Sequence, residues 1–329
     1  MTTTTEIELQ PWGTGRALDR RGSVSVAIPP CIANAQRPSS SDSLSETQPP
    51  KTALVVQGGA MRGAWAAGAL GALSQIRKEP FDLVVAVSSG ACSAAYFVAD
   101  AMERGISIWT TRACSGQVFN KSNLLRFRPL IDLEYFVDYC LGPLPVGAFD
   151  RNPTNFEIVL TDCLTGQPTY FRPDSTTILD ALKATTSLPI ATRGYSLVNG
   201  VPYADGGLVD PIPVRRAIAL GATDITVVLT LDGAHRIPPV PRWMSRLVYP
   251  SFPETAMAWR RSCDAVDDSL DLVFHPPAGI RLHVVRPQKP LSVQRFTEES
   301  DAIRAAVGTG YVEAINQLQS STAASLRSL

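Results

Sequence analysis

From residue 53 onward, short apolar runs alternate with small-residue and amphipathic stretches, and this rhythm predicts the elements of the fold. Ala53-Leu54-Val55-Val56 is apolar at every position. It therefore predicts a strand buried on both faces, as in parallel sheets. A glycine-rich turn at 58–63 leads into an Ala-rich helix reaching about Arg77. Residues 82–87 predict a second buried strand that ends at Ser88, and the small residues of 89–103 predict the next helix. Strand–helix–strand–helix order implies a parallel sheet covered on both faces. Residues 106–150 read as helices and loops, the usual place for a cap over a site. Strands are predicted at 156–161 and 169–171, around the turn Thr165-Gly166-Gln167-Pro168, and a helix at 178–186. Segments 195–198 and 201–204 flank Asn199-Gly200, a hairpin signal. Residues 225–231 and 282–285 predict two more strands, and 297–318 a long amphipathic helix packed across the sheet.

Composition fits one large α/β domain over 52–329, with 45% apolar and 18% charged residues. Residues 1–51, rich in Thr, Ser, Pro and Gln, predict a disordered leader, or alternatively a targeting or secretion segment. Thirty Lys+Arg balance thirty Asp+Glu, which argues against a nucleic-acid partner. Peripheral membrane contact stays open, because it can rest on apolar surface alone. Cys31, Cys92, Cys114, Cys140, Cys163 and Cys263 are scattered, with no metal-ligand spacing. They predict reduced thiols in a cytoplasmic setting and no metal site. No apolar run is long enough to span a bilayer, and the first residues lack the pattern of a Sec signal peptide.

Three segments carry chemistry. Ala86-Val87-Ser88-Ser89-Gly90 places a serine between a buried strand and a helix, where a sharp turn pushes its hydroxyl out of the sheet. The usual pattern is G-x-S-x-G, with Ala86 here at the first position; a helix cap is the plainer reading. The loop Gly58-Gly59-Ala60-Met61-Arg62-Gly63 lacks the Gly-Lys-Ser/Thr of a P-loop. It departs from a dinucleotide fingerprint at Ala60, although Asp82 stands near where a ribose-binding acid would be. Its third reading is an oxyanion hole, with side-chain-poor backbone aiming N–H groups at a carbonyl oxygen. Arg62 then orients the loop or lends charge, or else forms a surface ion pair. Finally, Asp205-Gly206-Gly207 ends a hairpin strand in a tight turn. Alone it is a turn; after the other two segments, and in this order, it is specific.

Taken together, QGGAMRG (57–63), AVSSGA (86–91), TDCLTGQPTYF (161–171) and YADGGLVDPIPV (203–214) resemble the patatin-like phospholipase family, its bacterial members in particular, over roughly 52–290. The resemblance implies a three-layer α/β/α fold with a mostly parallel central sheet. It implies a Ser–Asp dyad, with Ser88 as nucleophile and Asp205 as base. The oxyanion donors would be N–H groups around Gly59, Ala60 and Met61 in the 58–63 loop, with Arg62 as the loop's arginine. Gly90, Gly206 and Gly207 support the motifs, and Ala60 and Ala86 stand where the family usually has glycine. The implied activity is hydrolysis of phospholipid or other fatty-acyl esters, as a phospholipase A or esterase, with no cofactor.

Two alternatives remain at this level. One is a catalytically silent domain that binds lipid or a protein partner. The other is an α/β-hydrolase triad completed by His235, His275 or His283, all of which follow Asp205. Only one strand precedes the serine strand, which speaks against that triad. Residues 237–259 concentrate Trp, Tyr, Phe and Met among prolines. They read either as a surface that meets lipid or as core packing by Trp243, Leu247 and Met257. Leu124-Leu125-Arg126-Phe127-Arg128 is a second basic-apolar candidate.

Overall fold

The computed structural model describes residues 52–113, 118, 129–231 and 238–327. Its strands are β1 (Thr52–Val56), β2 (Leu83–Val87), β3 (Asn155–Asp162), β4 (Pro168–Phe171), β5 (Ser196–Val198), β6 (Val201–Asp205), β7 (Asp224–Val228) and β8 (Arg281–Val285). β1 is central and runs parallel to β2 and β7; β2 is parallel to β3, and β7 to β8. β4 and β6 pair antiparallel with β3, and β5 with β6.

The helices are α1 (Gly63–Ile76), α2 (Ser89–Val98), α3 (Met102–Ser107), α4 (Leu133–Phe136), α5 (Ile178–Thr185), α6 (Val214–Ala219), α7 (Arg242–Val248), α8 (Pro253–Phe274) and α9 (Ser300–Arg327). Successive β1 side chains point to opposite faces. Leu54 and Val56 join one core with α1, α2, α5 and α9, while Ala53 and Val55 join another with α6 and Val273 near the end of α8. Two cores on one sheet explain why β1 and β2 carry no polar alternation. The fold is the expected α/β/α sandwich around a mostly parallel sheet.

Several elements differ from their predicted extents. The helix predicted over 89–103 stops at Val98, where Asp100 takes a left-handed φ of 51° and α3 starts afresh. β7 ends at Val228; beyond it Thr230 N–H turns to Gln57 Oε1 at 2.8 Å, carrying the chain toward the C-terminal end of β1. In the described part of the 106–150 segment, Ile108, Trp109, Cys140 and Leu141 are buried in the larger core, while Leu130 lines the cavity that holds Ser88 and Asp205. Helix α8 went unpredicted because prolines and aromatics mask its start, although Pro253 sits at its first turn, where proline is tolerated. The core-packing reading of 237–259 fails at Trp243, Leu247 and Met257, which are 69%, 71% and 41% exposed. The 1–51 leader, His235 and Leu124–Arg128 lie outside the described residues. Among the described residues, no helix is long and apolar enough to cross a membrane.

Candidate active site

Strand β3 brings the two reactive side chains together. Along one of its edges, Val87 at the end of β2 pairs with Val159, and Asp205 at the end of β6 pairs with the next residue, Leu160. β4 occupies the opposite edge at both positions. Since β2 is parallel and β6 antiparallel to β3, their C-terminal ends meet tip to tip on the same edge. Ser88 follows Val87 directly, and its Oγ donates to Asp205 Oδ2 at 2.7 Å.

The turn at Ser88 is strained, with φ 53° and ψ −136°, a conformation costing about 1–3 kcal/mol. Surrounding bonds hold it in place. Ser88 N–H donates to Thr185 Oγ1 at 2.8 Å, and that hydroxyl donates to Val159 C=O at 2.7 Å. Ala91 N–H donates to Ser88 C=O at 2.9 Å, opening α2. Close approach demands glycine at two points: a Cβ on Gly90 would lie 2.4 Å from Gln57 O, and one on Gly206 2.1 Å from Val159 O. Ala86, by contrast, is fully buried in the larger core, which absorbs its methyl.

Asp205 is buried, and its Oδ1 accepts Gly207 N–H at 2.8 Å. Thr161 Oγ1 donates to Asp205 C=O at 2.7 Å, and Asp205 N–H donates to Ser187 C=O at 3.2 Å. Burial raises the carboxyl from an ordinary 3.8 to about 6, against the opposing pull of the Ser88 and Gly207 bonds and the Arg295 charge.

The 58–63 loop lies against the serine, with Gly58 backing onto Ser88 Cβ and Gly63 onto Ser89 Oγ. Gly59 N–H donates to Ser89 Oγ at 3.1 Å, and Met61 N–H to Arg295 C=O at 3.3 Å. The N–H groups of Gly58 and Ala60 meet no acceptor among the described residues, and both residues line the cavity that holds Ser88 and Asp205. Ala60 has a left-handed φ of 52°, so the position where glycine was anticipated is one whose backbone favours glycine. Arg62 is buried, with 5% of its surface exposed.

A patatin-like phospholipase model matches residues 54–218, half of the chain. The chain belongs to the patatin-like phospholipase family.

Membership places this patatin-like protein among lipid acyl hydrolases in general. It is 26% identical over 261 residues to YjjU of Escherichia coli, covering 76% of this chain and 72% of that protein. Rv1063c of Mycobacterium tuberculosis, an NTE family protein, is 25% identical over 215 residues. That match covers 60% of this chain, which spans just 56% of the mycobacterial protein. VipD from Legionella pneumophila superposes with a TM-score of 0.39 at 13% identity, covering 83% of this chain and 67% of that one.

The patatin-like cavity has a volume of about 370 Å³, within the span of small-molecule sites. Ser88, Asp205 and the glycine-rich loop supply its polar lining, while Leu130, Leu188, Leu208, Trp259 and Val266 supply apolar wall. A larger cleft of about 920 Å³ contains neither Ser88 nor Asp205. His275 pairs with Asp271 and His283 with Asp224, and neither lines the cavity. Asp82 accepts from Thr52 at the opposite end of β1, so the ribose-binding role does not exist. Among the described residues, no cluster of His, Cys, Asp and Glu is placed to hold a metal.

Sequence reasoning missed Thr185, Ser89, Thr230 and Arg295. The first three are hydroxyls that satisfy backbone groups around the site, and nothing in sequence distinguishes them from other Ser and Thr. Arg295 comes from beyond the family match, in the segment between β8 and α9.

Proposed function

We propose that this protein is a serine-dependent acyl hydrolase acting on fatty-acyl esters, in the manner of a phospholipase A or esterase. The observation that carries this reading is the 2.7 Å hydrogen bond from Ser88 to the buried Asp205 inside an apolar cavity. Ser88 Oγ attacks the ester carbonyl as Asp205 takes its proton. The carbonyl oxygen becomes negative within reach of the loop, where Gly58 and Ala60 are the N–H groups left over; one such donor is typically worth about 10²–10³ in rate. Collapse of the tetrahedral intermediate breaks the bond to the alcohol, which leaves with the proton from Asp205. Water then attacks the acyl-enzyme, giving its proton to Asp205; the acyl–Oγ bond breaks, Asp205 returns that proton to Ser88 Oγ, and the fatty acid is released. A carboxylate with a raised pKa suits this direct exchange, because it binds and returns a proton near neutral pH.

The hydrolase domain runs from residue 52 through α9. It meets lipid aggregates through α7, where Trp243 and Leu247 project one turn apart and Arg242 and Arg246 are exposed beside them. Apolar side chains flanked by cations fit an interfacial helix on an anionic membrane.

A fluorophosphonate probe and a series of p-nitrophenyl esters test the reading. Wild type should label and turn over; Ser88→Ala should do neither, and Asp205→Asn should lose on the order of 10³-fold or more in turnover. Changing His275 or His283 to Ala should leave turnover in place. Folded wild type that takes no label, or Ser88→Ala that retains turnover, overturns it.

A further inference from the structure

Two motifs of the sequence contain residues that acyl transfer leaves without a task. Tyr170 belongs to TDCLTGQPTYF and Asp210 to YADGGLVDPIPV, and neither lines the cavity. Asp210 is buried, in the turn that follows Asp205. Its Oδ2 accepts the Tyr170 hydroxyl at 2.8 Å. The tyrosine is held from a second side as well. The Arg216 guanidinium lies over its ring, 4.5 Å from the centroid, and makes two hydrogen bonds to Glu157 on β3, at 2.7 and 2.9 Å. Burial pushes the Asp210 carboxyl from 3.8 up to about 6, against the pull of the Tyr170 bond and the Arg215 charge. Dehydrating a carboxylate in this way is costly, and what it secures is direction.

The part it directs is the turn. Val209 and Asp210 N–H groups both donate to Gly206 C=O, at 3.1 and 3.0 Å, so residues 206–210 form one compact piece. At one end Gly207 N–H donates to Asp205 Oδ1 at 2.8 Å, which leaves Oδ2 for Ser88. At the other end the Asp210 carboxyl fastens the turn to β4. There Tyr170 pairs with Val159, whose carbonyl accepts the Thr185 hydroxyl that receives Ser88 N–H. Gly206 packs against that same carbonyl. Ser88 and Asp205 are thus both referred to Val159, the serine through Thr185 and the acid through the 206–210 turn.

We propose that Asp210 and Tyr170 are a positioning pair, holding the 206–210 turn in register with β3 and so aiming the Asp205 carboxylate at Ser88. This rests on the acyl-hydrolase reading of the cavity and adds residues that act on the base from behind it. Without the pair, Gly207 N–H swings off Asp205 Oδ1 and the contact with Ser88 loosens, while the cavity walls stay in place. Proton transfer then suffers more than substrate binding.

The test is hydrolysis of p-nitrophenyl butyrate by the full chain as a function of pH, below the melting transition of each variant. Tyr170→Phe keeps the ring under Arg216 and changes no charge. It should lower kcat on the order of 10-fold with KM within about twofold. Its acid limb should move to higher pH by about half a unit or more, since the Gly207 bond pulls Asp205 down against the larger effect of burial. Asp210→Ala should do the same, and the double variant should lose no more kcat than either single one, because both remove one bond. Asp210→Asn still offers an oxygen to the phenol and should recover most of what Asp210→Ala loses. Variants that melt earlier but keep the wild-type kcat and acid limb overturn the proposal, because the pair then only stabilises the fold. Losses that add in the double variant overturn it too. Should Tyr170→Phe not fold, Asp210→Ala against Asp210→Asn carries the same comparison. If wild type turns over no ester, the acyl-hydrolase reading fails by itself, and an NMR titration of the Asp205 carboxyl decides the proposal. A titration moved upward in Tyr170→Phe upholds it, and an unmoved one overturns it.

Discussion

In the proposed mechanism Asp205 is the base, and its burial bears on both that role and the stability of the fold. Its carboxyl titrates at about 6 in the fold against 3.8 ordinarily, so the native state holds the proton more tightly than the unfolded chain does. Its stabilising contribution is full below about pH 3.8 and is lost as pH rises through about 6. At neutral pH the protein carries an ionised buried carboxylate, at a penalty of up to about 3 kcal/mol. Asp205→Asn should accordingly resist urea better than wild type at pH 7.5, by about 1–3 kcal/mol, with the gain vanishing near pH 3.5. Equal stability of the two proteins at pH 7.5 would refute the burial argument. The same titration governs activity: the base must be ionised, so kcat/KM should fall tenfold per pH unit below about 6. Ser88 and Asp205 were legible in the sequence because each sits in an unusual string, a serine at a strand end and an acid before two glycines. Arg295 was not, since an isolated arginine between a strand and a helix looks like any surface arginine until the fold brings it to the cavity.

At the scale of elements, what is buried on both faces was read correctly and what depends on long-range contact was not. β1 and β2 announce themselves because two cores demand apolar residues at every position. Helix α8 does not, since its outer face carries Asp264, Asp267, Asp268 and Asp271 and its start is crowded with prolines and aromatics. Helix α9 was anticipated over 297–318, but its partner was not, and that partnership depends on two glycines. A Cβ on Gly68 would lie 1.9 Å from Val307 O, and one on Gly310 2.0 Å from Trp65 O, so α1 and α9 touch backbone to backbone. Trp65 Nε1 also donates to Glu313 Oε2 at 2.9 Å across this contact. Gly310→Ala gains helix propensity of about 1 kcal/mol but must push the helices apart. Overpacking of this kind costs about 1–3 kcal/mol or more, and backbone gives way less readily than a side chain. We expect a net loss in Tm of several degrees, with Gly308→Ala, whose added Cβ meets nothing within 4 Å, raising Tm or leaving it unchanged. Equal behaviour of the two variants in thermal melts would show that the close contact does not hold α9.

For the molecule as a whole, the proposed lipid contact has to be reconciled with zero formal net charge. With no net charge to steer it, such a contact would have to be local. The region around α7 is the candidate: Arg193, Arg242, Arg246, Arg260 and Arg261 form no ion pair among the described residues. Apart from Glu254 in its first turn, the acids of α8 lie from Asp264 onward, so Arg260 and Arg261 are followed by an acidic second half. α7 is anchored to the site's own framework. Tyr249, at its C-terminal end, donates from its hydroxyl to Gly194 C=O at 2.9 Å and stacks edge-on against Trp259, a residue of the cavity wall. Val240, two residues before α7, lines the same cavity. Trp243 and Leu247 inserted at a bilayer border would therefore set the cavity beside the lipid it draws from. The double change Trp243→Ser, Leu247→Ser removes two exposed apolar side chains and nothing from either core, so Tm should hold. Sedimentation with phosphatidylglycerol vesicles should drop at least tenfold, as should hydrolysis of vesicle lipid, whereas turnover of a monomeric short-chain ester should stay within about twofold. Added salt should weaken wild-type binding to these vesicles, because the arginines act through a screened field. If the double variant binds vesicles as wild type does, α7 is not the lipid face, and the exposure of Trp243 and Leu247 calls for another account.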